Sequence, residues 1–308
     1  MTPDDVDPGI RIFHRRVMED YARHGTPADV TERRRIAELV RAPWNVGGPV
    51  MAATTDLVVA GVRVRLHRPS DAPDLPVLVY LHGGGWVLFS IDTHDRLMRE
   101  YAARSGCAVL GVEYSLSPEV RFPHALGEIA AVLEWLHASG ADHGLDPARI
   151  AIGGDSAGGN LALATALGLR DAGRDWLSAM LLNYGAFDAD DSAWQGRFHT
   201  EDYMLNPVEM AAFWTDYLDE DDRANPLARP LLADLAGLPP AFLCIAECDI
   251  LAAENRAMAA RLAEAGVAVE ARVYPGAMHG FIEAASVAPL AERAIQEASE
   301  WLRDQLRS

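Results

Sequence analysis

Short apolar segments alternate with longer helical patterns along most of the chain after residue 76. Continuous apolar runs occur at residues 77–81, 108–112, 150–152, 179–183, 241–246 and 268–273. Helical patterns at residues 93–104, 124–138, 159–170, 253–265 and 288–306 separate or follow these runs. Strands that are apolar on both faces and alternate with helices are typical of a mainly parallel sheet covered on both sides. The sequence therefore predicts an α/β architecture.

Two further strands precede this alternation. Residues 57–59 and 62–66 alternate around a turn at Ala60-Gly61, which is typical of an antiparallel hairpin. With the hairpin, the predicted sheet has eight mostly parallel strands flanked by helices. Residues 7–39 place apolar side chains at three- and four-residue spacings among charges. This pattern predicts one or two surface helices in front of the sheet.

One connection between predicted strands is too long for a simple loop. Residues 185–232 contain many acidic and aromatic side chains, Trp194 among them, whereas such connections usually have about two to six residues. We therefore expect an insertion with helices of its own. Ligands bind beyond the carboxyl ends of strands in open α/β sheets, so this insertion is a candidate lid or cap.

The composition narrows the class of partner. The chain has 308 residues, half of them apolar, and a net charge of −18. So acidic a protein repels phosphate backbones, which argues against nucleic-acid binding. The first ten residues do not resemble a secretory signal, and no window approaches the ~20 apolar residues of a membrane span, so we expect a cytoplasmic protein. Cys107, Cys244 and Cys248 form an odd set in which two lie on or beside predicted buried strands, so we expect reduced core thiols rather than a disulfide framework. No second cysteine pair completes a zinc site with Cys244 and Cys248.

A serine lies in a glycine turn between a predicted strand and a predicted helix. The segment is Gly154-Asp155-Ser156-Ala157-Gly158, and small neighbours let such a turn lift the serine hydroxyl above the sheet edge. The Ala157 amide begins the helix, where unpaired N–H groups favour negative charge. Asp155 is expected to be a buried carboxylate bonded to backbone amides. Such turns also occur without function, so other motifs must decide.

A second glycine-rich loop follows the strand at residues 77–81. In His82-Gly83-Gly84-Gly85, the absence of side chains lets backbone N–H groups approach a negatively charged ligand. By itself the loop could be a flexible turn. Acyl transfer, however, needs donors aimed at the oxygen of a tetrahedral intermediate, and this loop together with the amide after the serine would supply them.

A serine nucleophile needs a base, and the base needs an acid that holds it. His279 follows the last predicted strand and is the candidate base. Seven other histidines lie in helical, exposed or cap-like stretches: His14, His67, His94, His124, His137, His143 and His199. Asp249 follows the preceding strand and is the candidate acid, with Glu247 as its rival and Glu254 as a weaker one. The chain order serine, acid, histidine is that of α/β-hydrolases.

Five ordered motifs, from about residue 57 to the end, make the chain similar to the hormone-sensitive-lipase-like (bacterial family IV) α/β-hydrolases, acetyl esterase branch. They are His82-Gly83-Gly84-Gly85, Tyr114-Ser115-Leu116-Ser117-Pro118-Glu119, Gly154-Asp155-Ser156-Ala157-Gly158-Gly159, Glu247-Cys248-Asp249-Ile250-Leu251 and His279-Gly280-Phe281. Three positions depart from the family pattern: Ile250 replaces a proline, Ser115 an arginine, and Phe89 a glycine. None of the three is a predicted catalytic group.

The resemblance implies roles for individual residues and segments. Ser156 would be the nucleophile, with Asp249 and His279 as its partners, and the amides of Gly83, Gly84 and Ala157 would form the oxyanion hole. Residues 1–50 and the insertion at about 185–232 would form a cap on a catalytic domain of residues 51–308. The resemblance also implies a homodimer joined through the edge of the last strand.

The sequence thus predicts a serine carboxylesterase for short-chain esters, acetyl to about hexanoyl, acting through an acyl-enzyme without cofactor or metal. The candidate pocket residues are aromatic, with ordinary core or cap packing as the alternative for each: Trp86, Phe89, Trp214 and Phe281. An amide or formamide hydrolase of the same fold is the alternative activity. A ligand receptor without turnover is the alternative from another class, and the presence of His279 argues against it.

Overall fold

A computed structural model describes residues 4–190, 197–200 and 202–307. Its sheet has eight strands in the order β1-β2-β4-β3-β5-β6-β7-β8, of which only the β1/β2 and β2/β4 pairs are antiparallel. The strands are β1 Ala53–Val59, β2 Val62–Arg68, β3 Leu75–Leu81, β4 Ala108–Val112, β5 Leu145–Asp155, β6 Leu177–Asn183, β7 Ala241–Cys248 and β8 Val269–Met278. The predicted eight-stranded, mostly parallel sheet is confirmed.

Helices cover both faces of the sheet. They are α1 Pro8–His24, α2 Val30–Arg41, α3 Asp95–Ser105, α4 His124–Ser139, α5 Ala157–Asp171, α6 Pro207–Tyr217, α7 Ala252–Glu264 and α8 Pro289–Gln305. Alternate residues of β3 point to opposite faces: Val77 and Val79 join the core under α4, α5 and α7, while Leu78 and Tyr80 join the core under α1, α3 and α8. Two apolar cores therefore hold the sheet between two helical layers.

The N-terminal residues form two helices, each with one buried face. Asp7 caps α1, because its side chain accepts hydrogen bonds from the Gly9 and Ile10 amides at 2.8 and 3.2 Å. Phe13 and Val17 on α1 are buried in the same core as α8. Burial of this face places α1 and α2 firmly on the body of the protein.

The long connection between β6 and β7 contains α6. Asn206 caps this helix by accepting from the Val208 and Glu209 amides, and Pro207 follows it in the first turn, where proline is favoured. Phe213 and Trp214 on α6 are buried in the same core as Val77 and Val79. Trp194, also expected in this insertion, lies outside the described residues.

Two further observations concern the whole described chain. Cys107, Cys244 and Cys248 are buried and free, as predicted. Among the helices within the described ranges, none combines the length and the apolar character that crossing a membrane requires.

Candidate active site

The turn from β5 to α5 holds Ser156 in a backbone conformation that few residues adopt, with φ 54° and ψ −118°. The Ser156 amide donates to the Asn183 carbonyl at 2.9 Å, which fixes the turn to the end of β6. A Cβ on Gly158 would collide with the Leu81 carbonyl of β3. Helix α5 can therefore start this close to the sheet only with glycine at position 158.

The ends of β5, β7 and β8 bring Ser156, Asp249 and His279 together. His279 Nε2 lies 2.8 Å from Ser156 Oγ, and His279 Nδ1 lies 2.7 Å from Asp249 Oδ2. The other carboxylate oxygen of Asp249 accepts the Leu251 amide at 3.0 Å. An ionised carboxylate can only accept, so Nδ1 carries the proton and Nε2 accepts a hydrogen bond from the serine hydroxyl. This is the tautomer that a general base needs.

The two rival carboxylates hold backbone groups elsewhere. Glu247 accepts the Gly276 amide at 3.0 Å, and Glu254 accepts the Phe187 amide at 2.7 Å. The structure therefore joins Asp249, and neither of its rivals, to His279 by a hydrogen bond.

The pKa of His279 is raised above its ordinary value of 6.5. Burial alone would lower this pKa, but the negative charge of Asp249 and its hydrogen bond outweigh burial. The imidazolium that forms when His279 takes a proton is thus stabilised by its carboxylate partner.

The loop after β3 offers amide donors near the serine. Gly84 has φ 112°, and a Cβ there would collide with the Leu88 carbonyl. The Val87 and Leu88 amides donate to the Gly84 carbonyl at 3.1 and 2.9 Å, which closes the loop on itself. Within the described chain, the Gly83 and Gly84 amides donate to no backbone carbonyl, and the Ala157 amide belongs to the first turn of α5. Three amides are therefore available to a ligand.

Asp155 corrects the expectation that its carboxylate binds backbone amides. The Tyr80 hydroxyl donates to one carboxylate oxygen at 2.8 Å, and His94 Nε2 lies 3.4 Å from the other. Burial would raise the pKa of Asp155, but the His94 charge prevails and the pKa is lowered. The partners of Asp155 are thus two buried side chains beneath the serine turn.

His94 is the residue near the site that sequence reasoning missed. It immediately precedes α3 and was expected in a helical, exposed or cap-like stretch, yet it is buried. The Thr93 hydroxyl lies 2.9 Å from its Nδ1, so both ring nitrogens have polar neighbours. The one sequence signal was its position shortly after the glycine loop.

A cavity of about 380 Å³ reaches Ser156 and His279. Two segments far apart in the chain form much of its wall. One runs from Met18 to Arg41 and includes Arg33 and Ile36, while the other runs from Tyr203 to Phe213. A substrate at Ser156 would therefore contact the N-terminal helices and the α6 region together.

Only one of the four candidate pocket aromatics lines this cavity. Phe89 does so, whereas Trp86 stacks on Tyr217 with ring centroids 4.2 Å apart and lies 4.5 Å from Trp214. Phe281 packs in the apolar core. Trp86, Trp214 and Phe281 are buried and do not line this cavity.

Comparisons with known proteins agree with this arrangement. A model of the alpha/beta hydrolase fold family matches residues 78–283, more than half of the chain. Similar solved structures include a thermophilic and thermostable carboxylesterase cloned from a metagenomic library, with 33% identity, covering 91% of this chain and 99% of that chain at a TM-score of 0.88. An esterase from the archaeon Pyrobaculum calidifontis has 31% identity, 97% and 98% coverage and a TM-score of 0.89.

A third similar structure is an esterase from the bacterial hormone-sensitive lipase family. It has 31% identity, covers 98% of this chain and 99% of that chain, and has a TM-score of 0.87. The family model and the esterase structures each span most of the chain and its predicted motifs. The chain therefore belongs to the alpha/beta hydrolase family, within its hormone-sensitive-lipase-like branch of bacterial esterases, and is a carboxylesterase.

Proposed function

We propose that this carboxylesterase hydrolyses short-chain esters, acetyl to about hexanoyl, through an acyl-enzyme on Ser156. The observation that carries the proposal is the continuous hydrogen-bonded line from Asp249 through His279 to the Ser156 hydroxyl, at 2.7 and 2.8 Å. This line ends beside three amides that can bind an anion. Such a set is what acyl transfer requires.

The reaction follows from the placement of these groups. Ser156 Oγ attacks the ester carbonyl carbon while His279 Nε2 takes the hydroxyl proton, and the Gly83, Gly84 and Ala157 amides bind the resulting oxyanion. The intermediate collapses as His279 gives that proton to the departing alkoxide, which leaves an acyl group on Ser156. Water then attacks the acyl carbon and gives a proton to His279, which returns it to Ser156 Oγ as the carboxylic acid leaves.

The limit on acyl length rests on the room above the serine. We propose that residues 1–50 and about 185–232 act as a cap on the catalytic domain of residues 51–308. Side chains of both segments line the cavity, and its volume of about 380 Å³ is small for a ligand pocket, for which ~300–1,000 Å³ is usual. Long acyl chains would have to displace the cap.

An acyl-length series tests the proposed substrate class. We expect kcat/KM for p-nitrophenyl esters to peak between acetate and hexanoate and to fall about tenfold or more by decanoate, because each misfitting methylene costs ~1–3 kcal/mol. A rate that rises steadily through decanoate would contradict the proposed length limit. Matched butyryl ester and butyranilide substrates separate this activity from an amide hydrolase, for which the anilide would be cleaved at a comparable rate.

We also propose a homodimer joined through β8. Among the residues that the structure describes, this strand is the last in the sheet and pairs only with β7, and its Val273 is 42% exposed. An exposed apolar strand edge is a template for pairing with another strand. Light scattering on the eluting peak of a sizing column should give twice the monomer mass, and Val273→Lys should give the monomer mass. A monomeric wild-type protein at micromolar concentration would rule the dimer out.

A further inference from the structure

A buried ion pair borders the cavity on the side of the N-terminal helices. Arg41, the last residue of α2, and Glu283, shortly after His279, both line the cavity. Their side chains are only 6% and 8% exposed, and Arg41 Nε lies 3.4 Å from Glu283 Oε2. A charged pair so deeply placed in a substrate cavity calls for a physical reason, because desolvating two charges is costly.

The hydrogen bonding of Arg41 is incomplete. Within the described part of the chain, neither Nε nor Nη1 has a hydrogen-bond acceptor, since the contact with Glu283 lacks the required alignment. A guanidinium carries five N–H donors in a rigid fork. Leaving such donors buried without an acceptor costs ~1–3 kcal/mol, and more when the group is charged. A ligand atom in the cavity could supply the acceptor.

One side chain separates Arg41 from the glycine loop, and another separates it from the segment that follows His279. Its guanidinium carbon lies 5.0 Å from the centre of the Phe89 ring, and the Phe89 ring lies against Gly84 of the glycine loop. On the other side, Glu283 lies close to Gly280, which follows His279. Arg41 and Ser156 line the same cavity, so an ester held at Ser156 would extend a substituent toward Arg41.

The charge of the pair favours a neutral acceptor over an anion. Glu283 already balances the charge of Arg41, so a substrate carboxylate would also meet the negative charge of Glu283 in a poorly solvated site. A ketone, ester or amide oxygen accepts a hydrogen bond without adding charge. A hydrogen bond between such an oxygen and a charged donor is stronger than one between neutral groups.

We propose that Arg41 binds a second carbonyl oxygen of the substrate, so that this esterase prefers esters carrying a further neutral carbonyl group. The proposal rests on the proposed function, because it assumes an ester bound at Ser156. It adds a specificity-determining residue and a substrate class to that function. The Phe89 and Phe13 rings on which the guanidinium lies, at 5.0 and 5.4 Å, hold it at the cavity wall.

Matched substrate pairs test the preference in the wild-type enzyme. In the acyl arm, p-nitrophenyl 4-oxopentanoate and 5-oxohexanoate are compared with pentanoate and hexanoate. In the alcohol arm, the acetates of hydroxyketones are compared with those of the matching alcohols. We expect at least one keto ester to exceed its partner in kcat/KM by about tenfold. The p-nitrophenyl hemisuccinate, which carries a carboxylate, should show no such gain over butyrate.

Variants assign the preference to Arg41. Arg41→Met combined with Glu283→Gln removes both charges and leaves no buried carboxylate unpaired, and we expect its keto-to-alkyl ratio of kcat/KM to fall to about one. Arg33→Met is the matched control: Arg33 also lines the cavity but is 29% exposed, and its removal should leave the wild-type ratio intact. Each ratio is measured within one variant, so a general loss of activity does not affect it.

Three outcomes are distinguishable. Hydrolysis of the alkyl esters without any keto preference would overturn the role of Arg41 and leave the proposed function standing. A preference that survives in the double variant would overturn it as well. Failure of the wild-type enzyme to hydrolyse any of these esters would contradict the proposed function itself. If the double variant does not fold, the wild-type ratios still decide the substrate class.

Discussion

Ser156→Ala should lower kcat for p-nitrophenyl butyrate by a factor on the order of 10⁶, close to the loss seen when a serine nucleophile is removed from other triads. The reason is geometric. His279 Nε2 lies 2.8 Å from Ser156 Oγ and has a lone pair for its proton, and a methyl group at that position offers neither a proton nor a nucleophile. The amide donors remain, so a small rate above that of water should persist.

The fold should survive this change, which makes the loss interpretable. The backbone of residue 156 forms the turn, and its N–H donates a hydrogen bond to the Asn183 carbonyl; alanine can keep both. Thermal unfolding of the variant should therefore remain close to that of the wild type. Ser178→Ala is the matched control, because Ser178 is at the opposite end of β6 from the site and should leave kcat unchanged.

Labelling by a fluorophosphonate gives an independent readout. The wild-type protein and Ser178→Ala should react with one equivalent, and Ser156→Ala should not react. A non-catalytic receptor would leave the wild-type serine unmodified. Near-normal turnover by Ser156→Ala, or labelling at another residue, would remove Ser156 from the mechanism.

The sheet was predictable where its strands are apolar, and less so where they are not. Strand β3 was predicted at residues 77–81 and spans Leu75–Leu81, since its side chains are buried on both faces. Strand β5 was predicted at residues 150–152 but spans Leu145–Asp155. Asp146, Pro147 and Arg149 interrupt the apolar pattern, so the sequence gives no strand signal for its first half. The register of β5 against β3 shifts across this stretch, from Leu145 opposite Leu75 to Ile150 opposite Val77, so these residues interrupt the apolar run between two paired positions.

Strand β8 shows the same limit at its other end. It was predicted to end near residue 273, yet pairing continues to Met278, opposite Cys248. Pro275 and Gly276 look like turn residues in the sequence, but the Gly276 amide donates to Glu247 across the strands. A side chain on β7 thus replaces a backbone partner, which no local pattern reveals.

The proposed catalytic residues were predictable because their order and their flanking glycines are local features. The pocket was not. Trp86 and Phe89 are three residues apart and both have positive φ, at 60° and 70°, yet only Phe89 lines the cavity. Where each ring packs depends on residues far along the chain: Trp86 stacks on Tyr217, and Phe89 lies beside Arg41. His94 was missed for the same reason, since its partner Asp155 lies far along the chain, at the end of β5.

Asp249→Asn should lower kcat by about 10⁴-fold while leaving the serine in place, a loss of the size known when such an aspartate is changed in a serine triad. The carboxylate accepts the proton on His279 Nδ1 at 2.7 Å. An asparagine amide can instead donate to Nδ1, which moves the ring proton to Nε2. The ring would then point a proton at Ser156 Oγ and could not take one from it.

The pH dependence separates this explanation from a general disturbance. In the wild type, activity requires neutral His279, so kcat/KM should fall as the pH drops through the raised pKa of His279, with a midpoint above the ordinary 6.5. In Asp249→Asn, burial still lowers this pKa, but the Asp249 charge and hydrogen bond that raise it are gone. The midpoint of the residual activity should therefore move to lower pH than in the wild type.

Glu247→Gln is the matched control for Asp249→Asn, because Glu247 is the rival acid and lies two residues away on the same segment. Its carboxylate accepts the Gly276 amide, and glutamine can accept that amide equally well through its carbonyl oxygen. We expect kcat of Glu247→Gln to stay within a few-fold of the wild type, and its kcat/KM to fall at the same pH as in the wild type. A larger loss in Glu247→Gln than in Asp249→Asn would assign the acid to Glu247. The Asp249 carboxylate both raises the pKa of His279 and keeps the ring proton on Nδ1, so its removal must change the pKa and the tautomer together. A loss of activity in Asp249→Asn with an unchanged midpoint of the pH profile would therefore show that Asp249 does not set the pKa of His279.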